Sequence, residues 1–359
     1  MTDLGMDALL LSHGADLPWL TGYHAMPLER LTVLVVTVGG DAVLVVPELE
    51  APRVPEAGDL FELRPWSELE DPIDIASRIV GNRAKVDVGI SDRAWATSLL
   101  GFQARLAGAS WHPASKVTSE LRAMKDDTEI ACLRAASAAA DRVAEALRAG
   151  EIHLLGRTES QVSEDLSARL IAEGHEHVNF AIVGSGPNGA SPHHHAGSRV
   201  IEHGDLVVCD FGGSLAMEGD IGYCSDITRV VAVGEPADKE AVHCYEVLRR
   251  AQQAGVDAVA PGVRAESVDA AARRVIGDAG LGEKFIHRTG HGIGIEEHED
   301  PYIVKGNETL LKAGHCFSIE PGIYLTGRFG MRLEDIVAVT DEGVESLNNA
   351  DHSMIMIGA

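Results

Sequence analysis

At 359 residues, 45% hydrophobic and 24% charged, the chain suits two globular domains and has no composition that would leave it disordered. Its 55 acidic against 30 basic residues give a formal net charge of -25, which opposes nucleic acid and anionic membranes as partners and leaves small molecules or peptides. The 5 cysteines are odd in number and form no C-x-x-C pair, and no basic region leads into an apolar stretch at the N-terminus. The expectation is a reduced, cytoplasmic protein without disulfides or signal peptide.

In chain order, Ala8 to Leu11, Leu31 to Val38 and Ala42 to Val46 read as strands, the last two joined by a Gly39-Gly40-Asp41 turn. The longest strongly apolar run, Leu31 to Val38, falls far short of the ~20 residues that span a bilayer. Asp71 to Val80 and Asp92 to Ala107 read as helices, each opened by an acidic residue, and Lys85 to Ile90 alternates as a strand between them. This predicts a small α/β domain around a mixed sheet over residues 1–120. From Asp127 to Ala149 the apolar positions Ile130, Leu133, Ala136, Val143 and Leu147 recur at helical spacing, opening a second domain over residues 121–359. Thr158 to Glu173, with a capping box of Thr158 and Gln161, Lys239 to Ala254 and Ala265 to Ala279 read as further helices. Glycine-rich strands follow them, so the second domain reads as α+β, with helices grouped around a curved antiparallel sheet.

Five residues carry candidate chemistry: Asp210, Asp226, His291, Glu320 and Glu334. Asp210 ends the apolar run Leu206 to Cys209, and Asp226 stands beside Thr228 and Arg229. Singly, each aspartate also fits a solvated strand end or a structural ion pair. His291 lies among Gly290, Gly292 and Gly294, where the backbone can come close to a ligand, and His298 follows. Glu320 and Glu334 stand in apolar strands, where a glutamate is rarely buried unless paired or metal-bound. The carboxylates outnumber nearby cations. Together with one imidazole they suit two divalent ions about 3.5–4 Å apart, bridged by carboxylates. Oxygen-rich ligation of this kind suits Mn²⁺ first, with Co²⁺ or Zn²⁺ as alternatives. Such a pair makes hydroxide at neutral pH and polarises a carbonyl, so amide hydrolysis follows.

The ordered motifs VVCDFGG, GYCSDITR, HRTGHGIG, SIEPGIY and MRLEDIV resemble the proline-specific peptidases of the prolidase, aminopeptidase P, methionine aminopeptidase and creatinase superfamily. The likeness covers the whole second domain, and the first is similar to the N-terminal domain of prolidases and aminopeptidases P. It implies a pita-bread catalytic domain preceded by a small α/β domain, and a homodimer. By motif, Asp210 would bind one metal, His291 and Glu320 the other, and Asp226 and Glu334 both. Glu320 would also act as general base. His193 and His298 would contact substrate and stabilise the tetrahedral intermediate, His287 would stand at the pocket wall, and Thr228 and Arg332 would support the ligands. Two departures stand out. The stretch from Asp210 to Asp226 is long and contains Asp220, a rival ligand that the SDITR context sets aside. His193 opens the run His193-His194-His195, where the other two also read as a mobile, solvated loop.

The function implied is hydrolysis of the Xaa-Pro bond, most simply in dipeptides, by a metal-bound hydroxide with Glu320 returning the proton to the leaving proline nitrogen. An aminopeptidase P acting on Xaa-Pro-Yaa peptides is the close rival, the difference turning on whether Arg328 or a loop of a partner subunit recognises a free carboxylate. Creatinase-like chemistry fits less well because the full ligand set is present. A non-catalytic binding protein on the same fold is the remaining alternative.

Overall fold

Strand β1 (Ala8–Leu11) is buried along its whole length, which is why it reads as an unbroken apolar run. The computed structural model describes residues 1–56, 58–81, 84–217 and 221–358. It divides into two compact units, one of Met1–Arg122 and one of Ala123–Met217 with Gly222–Ala359.

In the first unit, β1 is followed by β2 (Val33–Thr37), β3 (Ala42–Pro47), β4 (Glu62–Trp66), β5 (Val86–Ile90) and β6 (Ala109–Pro113). They form one mixed sheet in the order β4-β3-β2-β1-β5-β6, with β1 antiparallel to β2 and parallel to β5. Side chains alternate between faces. Leu10, Val35 and Val88 meet Ala76 of α2 (Pro72–Val80) and Phe102 of α3 (Ala96–Arg105), while Leu9, Leu11 and Leu44 pack on the other face with Leu17 of α1 (Asp16–Thr21). Asp71 caps α2 as expected, accepting from the Ile73 and Asp74 N–H groups. Asp92 does not cap α3. That helix starts at Ala96, and Asp92 instead accepts the Ser115 N–H at 3.2 Å. Strands β4 and β6 escape sequence reading because they lie at the sheet edges and carry Arg64, Pro65 and His112 in place of an apolar run.

The second unit opens with α4 (Asp127–Arg148) and α5 (Glu159–Ala172), both started by capping boxes, Asp126 with Glu129 and Thr158 with Gln161. The remaining elements are β7 (His177–Ser185), β8 (Leu206–Leu215), β9 (Tyr223–Cys224), β10 (Ile227–Val233), α6 (Ala241–Asp257), α7 (Ala265–Asp278), β11 (Gly290–Gly292), β12 (Glu299–Ile303), β13 (Cys316–Ile319), β14 (Gly322–Leu325), β15 (Phe329–Arg332), β16 (Asp335–Val339), β17 (Val344–Ser346) and β18 (Ile355–Ile357). In place of one antiparallel sheet there are two larger sheets, β18-β10-β8-β7 with β9 on β8, and β12-β11-β13-β16-β17, and a ribbon of β14 and β15. The pair β10 and β18 is parallel. On β8, Val207, Cys209 and Phe211 face the core under α4 and α5, so alternation turns Asp210 to the opposite face. Helix α6 packs on the ribbon through Val247 and Leu248 against Ile323 and Met331. Among the described residues, no helix is long and apolar enough to cross a membrane.

Candidate active site

The five candidate ligands reach one place from different elements, and most come from breaks between strands. Asp210 sits mid-strand in β8 and not at its end, opposite Thr228 of β10. Asp226 lies between β9 and β10, Glu320 between β13 and Pro321, and Glu334 between β15 and β16. The two glutamates are therefore not strand residues. Each stands where the chain leaves one sheet for another pairing, which frees its side chain to turn inward.

His291 is the centre of β11, and its glycines serve the sheet. A Cβ on Gly290 would lie 1.8 Å from the Ser318 carbonyl oxygen, and one on Gly292 would lie 2.2 Å from that of Asp300. The glycines thus permit close approach of neighbouring strands rather than of a ligand. The Ser318 hydroxyl joins two candidates: it accepts the His291 N–H at 3.1 Å and donates to Glu320 Oε1 at 3.2 Å.

Asp226, His291 and Glu334 bring ligand atoms within 4.8 Å of one another. Nδ1 of His291 lies 3.1 Å from the Gly292 carbonyl and must donate to it, so in the neutral ring Nε2 keeps its lone pair. That lone pair faces Glu320 Oε1 at 3.3 Å and Asp226 Oδ2 at 3.6 Å. Burial, then the neighbouring His298, holds the His291 pKa well below the usual imidazole range. Burial, then Glu334 and Asp210, pushes the Asp226 pKa well up; burial, then Glu320 and Asp210, does the same for Glu334. Burial raises Glu320 to about 7 despite the opposing charge of Arg332. Arg332 pairs with Asp210 and stands 3.8 Å from Glu320 and 3.9 Å from Glu334, one guanidinium among four carboxylates. Oδ1 of Asp210 and Oδ1 of Asp226 are buried with no hydrogen-bond partner among the described residues. Lone pair against lone pair and two orphaned carboxylate oxygens are what divalent cations would satisfy.

Behind these groups, fully buried Arg229 donates to the Glu334 and Ala350 carbonyls and pairs with Asp335 at 2.8 Å. Asp335 also receives the Gln252 amide at 3.1 Å and His352 Nε2 at 2.5 Å.

All nine predicted site residues, the five ligands with His193, His287, His298 and Arg332, border one cavity of about 790 Å³. The rings of His298 and His291 are 3.9 Å apart, and burial followed by the Arg288 charge lowers the His298 pKa to about 4. His287 has both ring nitrogens engaged. Nδ1 donates to the Arg288 carbonyl at 2.7 Å, so Nε2 accepts from the Tyr324 hydroxyl at 2.9 Å, which itself accepts from Arg332 at 3.0 Å. Burial, with Arg332 behind it, takes the His287 pKa down to about 3. Arg328 does not reach the cavity: it is held at the surface by Asp238 at 2.7 Å and Glu240 at 2.9 Å. Besides Arg332, Arg288 borders it, stacked 4.4 Å from the Tyr302 ring, 3.4 Å from His298 Nδ1 and in ion-pairing contact with no carboxylate among the described residues. Arg288 and Tyr324 stand inside the quoted motifs, yet nothing local marks them as pocket residues. Asp220 lies outside the described residues.

Residues 131–341 match metallopeptidase family M24, and residues 1–124 match the Creatinase/Prolidase N-terminal domain. The chain belongs to metallopeptidase family M24. It is 44% identical over 358 residues to "Probable dipeptidase PepE" of Mycobacterium bovis, covering 99% of this chain and 93% of the relative. It is 35% identical over 372 residues to the Xaa-Pro dipeptidase of Lactobacillus helveticus, covering 99% and 96%. Among solved structures, a recombinant prolidase from Thermococcus sibiricus matches with a TM-score of 0.91 at 39% identity, covering 99% of this chain and 96% of that one. This M24 protein is thus an enzyme, a metallopeptidase, with a pita-bread domain behind a smaller α/β domain. Membership implies divalent metal, and the carboxylate and imidazole cluster is suited to hold it.

Proposed function

We propose that this M24 enzyme is a dipeptidase that hydrolyses the Xaa-Pro bond with two divalent ions, Mn²⁺ first among them, and Glu320 as general base. The observation that carries the reading is the meeting of four carboxylates and His291 at a cavity that also presents the guanidinium of Arg288, which bonds His298 Nδ1 at 3.4 Å and pairs with no carboxylate among the described residues. Asp210 would hold one ion, His291 and Glu320 the other, and Asp226 and Glu334 both. When bound, the ions supply a nucleophile from water at neutral pH and polarise the scissile carbonyl.

The chain's own groups do the rest. Glu320 takes a proton and returns it to the departing proline nitrogen. His193 and His298 donate hydrogen bonds to the oxygen that gains charge. Arg332 and His287, tied together through Tyr324, hold the wall on which substrate rests. Arg288 meets the free carboxylate of a dipeptide in a charge-assisted pair, which a longer peptide lacks at that position. The named activities of the L. helveticus and T. sibiricus relatives support this choice.

The test is mass spectrometry of Xaa-Pro and Xaa-Pro-Yaa peptides after loading with Mn²⁺, Co²⁺ or Zn²⁺. Cleavage of Xaa-Pro, with the tripeptide slower by about 10-fold or more, is expected because the charge pair is lost. Preference for the tripeptide would replace this reading by an aminopeptidase P. No cleavage of either peptide with any ion would remove the Xaa-Pro specificity.

A further inference from the structure

The three histidines His193, His194 and His195 all border the cavity, on the loop that joins β7 to β8. The shape of that loop is set by a carboxylate outside the ligand cluster. Glu159, the first residue of α5, is fully buried. Its side chain accepts six hydrogen bonds: from the Ser185 N–H at 2.8 Å and hydroxyl at 2.7 Å, from Asn188 Nδ2 at 3.0 and 3.2 Å, from His194 Nε2 at 2.8 Å and from the Gly197 N–H at 3.2 Å.

The donors are spread along the segment. Ser185 ends β7, Asn188 lies in the turn Gly186–Ala190, His194 is midway, and Gly197 is where the chain returns to α5. Backbone bonds clamp the return, from the Glu159 N–H to the Arg199 carbonyl and from the Ser160 N–H to the Gly197 carbonyl, both at 3.0 Å. Burial alone would raise the pKa of Glu159, but the donors from Ser185, His194 and Asn188 outweigh it and hold it low. An ionised carboxylate only accepts, so His194 presents Nε2–H to it and is committed to that bond. The run of three is not a mobile loop with interchangeable rings: the middle one is an anchor between two outer ones that are more exposed.

We infer that Glu159 is a positioning residue, which by binding His194 and both ends of residues 185–197 holds His193 at the substrate side of the cavity. The inference rests on the reading of His193 as a donor to substrate. It makes Glu159 more than a support of the fold, because its effect on turnover must pass through His193.

The test uses the full-length enzyme loaded with Mn²⁺ and an Xaa-Pro dipeptide. Glu159→Gln places an amide among donors, and it is expected to lower kcat/KM by about 10-fold, as misplacement of one substrate contact does, with Mn²⁺ affinity unchanged in a calorimetric titration. On a His193→Ala background the same substitution is expected to cost less than about 2-fold, since its target is gone. His194→Ala, at a partly exposed site, should reproduce the loss in the same direction and serves if Glu159→Gln does not fold. Equal losses in the presence and absence of His193, or unchanged kcat/KM in both Glu159→Gln and His194→Ala, would overturn the assignment. If the wild type cleaves no Xaa-Pro peptide, the substrate reading fails by itself. Hydrogen exchange of residues 186–197 then decides: faster exchange in His194→Ala supports the anchor, and unchanged exchange removes it.

Discussion

Thr228 and Glu334 are joined twice: the Thr228 hydroxyl donates to Glu334 Oε2 at 2.6 Å, and the Glu334 N–H reaches the Thr228 carbonyl at 3.3 Å. Thr228 also accepts Arg332 Nε at 3.1 Å and stands opposite Asp210 in the β8–β10 register. Thr228 therefore ties Glu334 to the strand that pairs alongside Asp210.

Thr228→Val removes that hydroxyl while keeping the shape of the side chain. We expect a stability loss of about 1–2 kcal/mol, because Glu334 and Arg332 each lose a buried partner. We expect Mn²⁺ affinity to fall by about 10–100-fold, as for other partners of metal ligands. Thermal melting and metal titration check both, and an unchanged titration would show that Glu334 holds its place without Thr228.

Glu320→Gln keeps the volume of the side chain and removes its capacity to take a proton. Turnover of an Xaa-Pro dipeptide should fall on the order of 10²–10⁴-fold, with circular dichroism unchanged. Undiminished turnover would assign the base elsewhere.

Arg288→Ala should raise KM for an Xaa-Pro dipeptide about 10–100-fold, the range of a lost charge-assisted hydrogen bond. The change for Xaa-Pro-Yaa should be smaller. Steady-state kinetics on the two peptides separates the possibilities, and equal effects on both would mean that Arg288 does not read the carboxylate.

The pH dependence of stability has two limbs. Asp226 and Glu334 are raised well above their ordinary values by burial and then by neighbouring carboxylates, and Glu320 is raised to about 7 by burial. An unfolded chain ionises these groups near pH ~4, so as pH rises towards 7 and beyond the folded chain holds protons that the unfolded chain has lost. Stability is then lost with rising pH. His291, His298 and His287 are lowered, chiefly by burial, so below about pH 6.5, where unfolded histidine protonates, stability is lost with falling pH. Chelated protein should therefore melt at lower temperature at pH 8 than at pH 6.5, while Mn²⁺-loaded protein, whose carboxylates are neutralised by the ions, should not. A chelated melting temperature that rises over this interval would contradict the raised carboxyls.

Much of the fold was legible because burial leaves local marks. The unbroken run of β1, the apolar spacing of α4, the capping box that opens α5, and the acidic cap of α2 follow from side chains within a few residues of one another. The site was legible as a set of residues and less so as geometry. Glu320 and Glu334 read as strand residues because apolar neighbours flank them, whereas each lies between two named strands, Glu334 keeping only a single bridge to Thr228. The glycines around His291 signalled close approach without saying to what, and the answer lies in Ser318 and Asp300. Glu159 carried no signal. An acidic residue in the first turn of a helix usually faces water, and its partners begin at Ser185, far along the chain. Arg328 attracted a carboxylate-binding role by type alone, and its partners Asp238 and Glu240 are equally remote in sequence.

The five candidate ligands are far apart along the chain, the nearest two being Glu320 and Glu334. No two of the five fall within one short stretch of sequence, unlike motifs in which two ligands share one helical turn. Bringing such ligands together in an unfolded chain means closing several long loops at once, each with its entropic cost. The cluster of candidate ligands therefore forms only when β8, β10, β11, β13 and β16 have found one another, and a metal site built from it would arise in the same event as the sheets of the second unit.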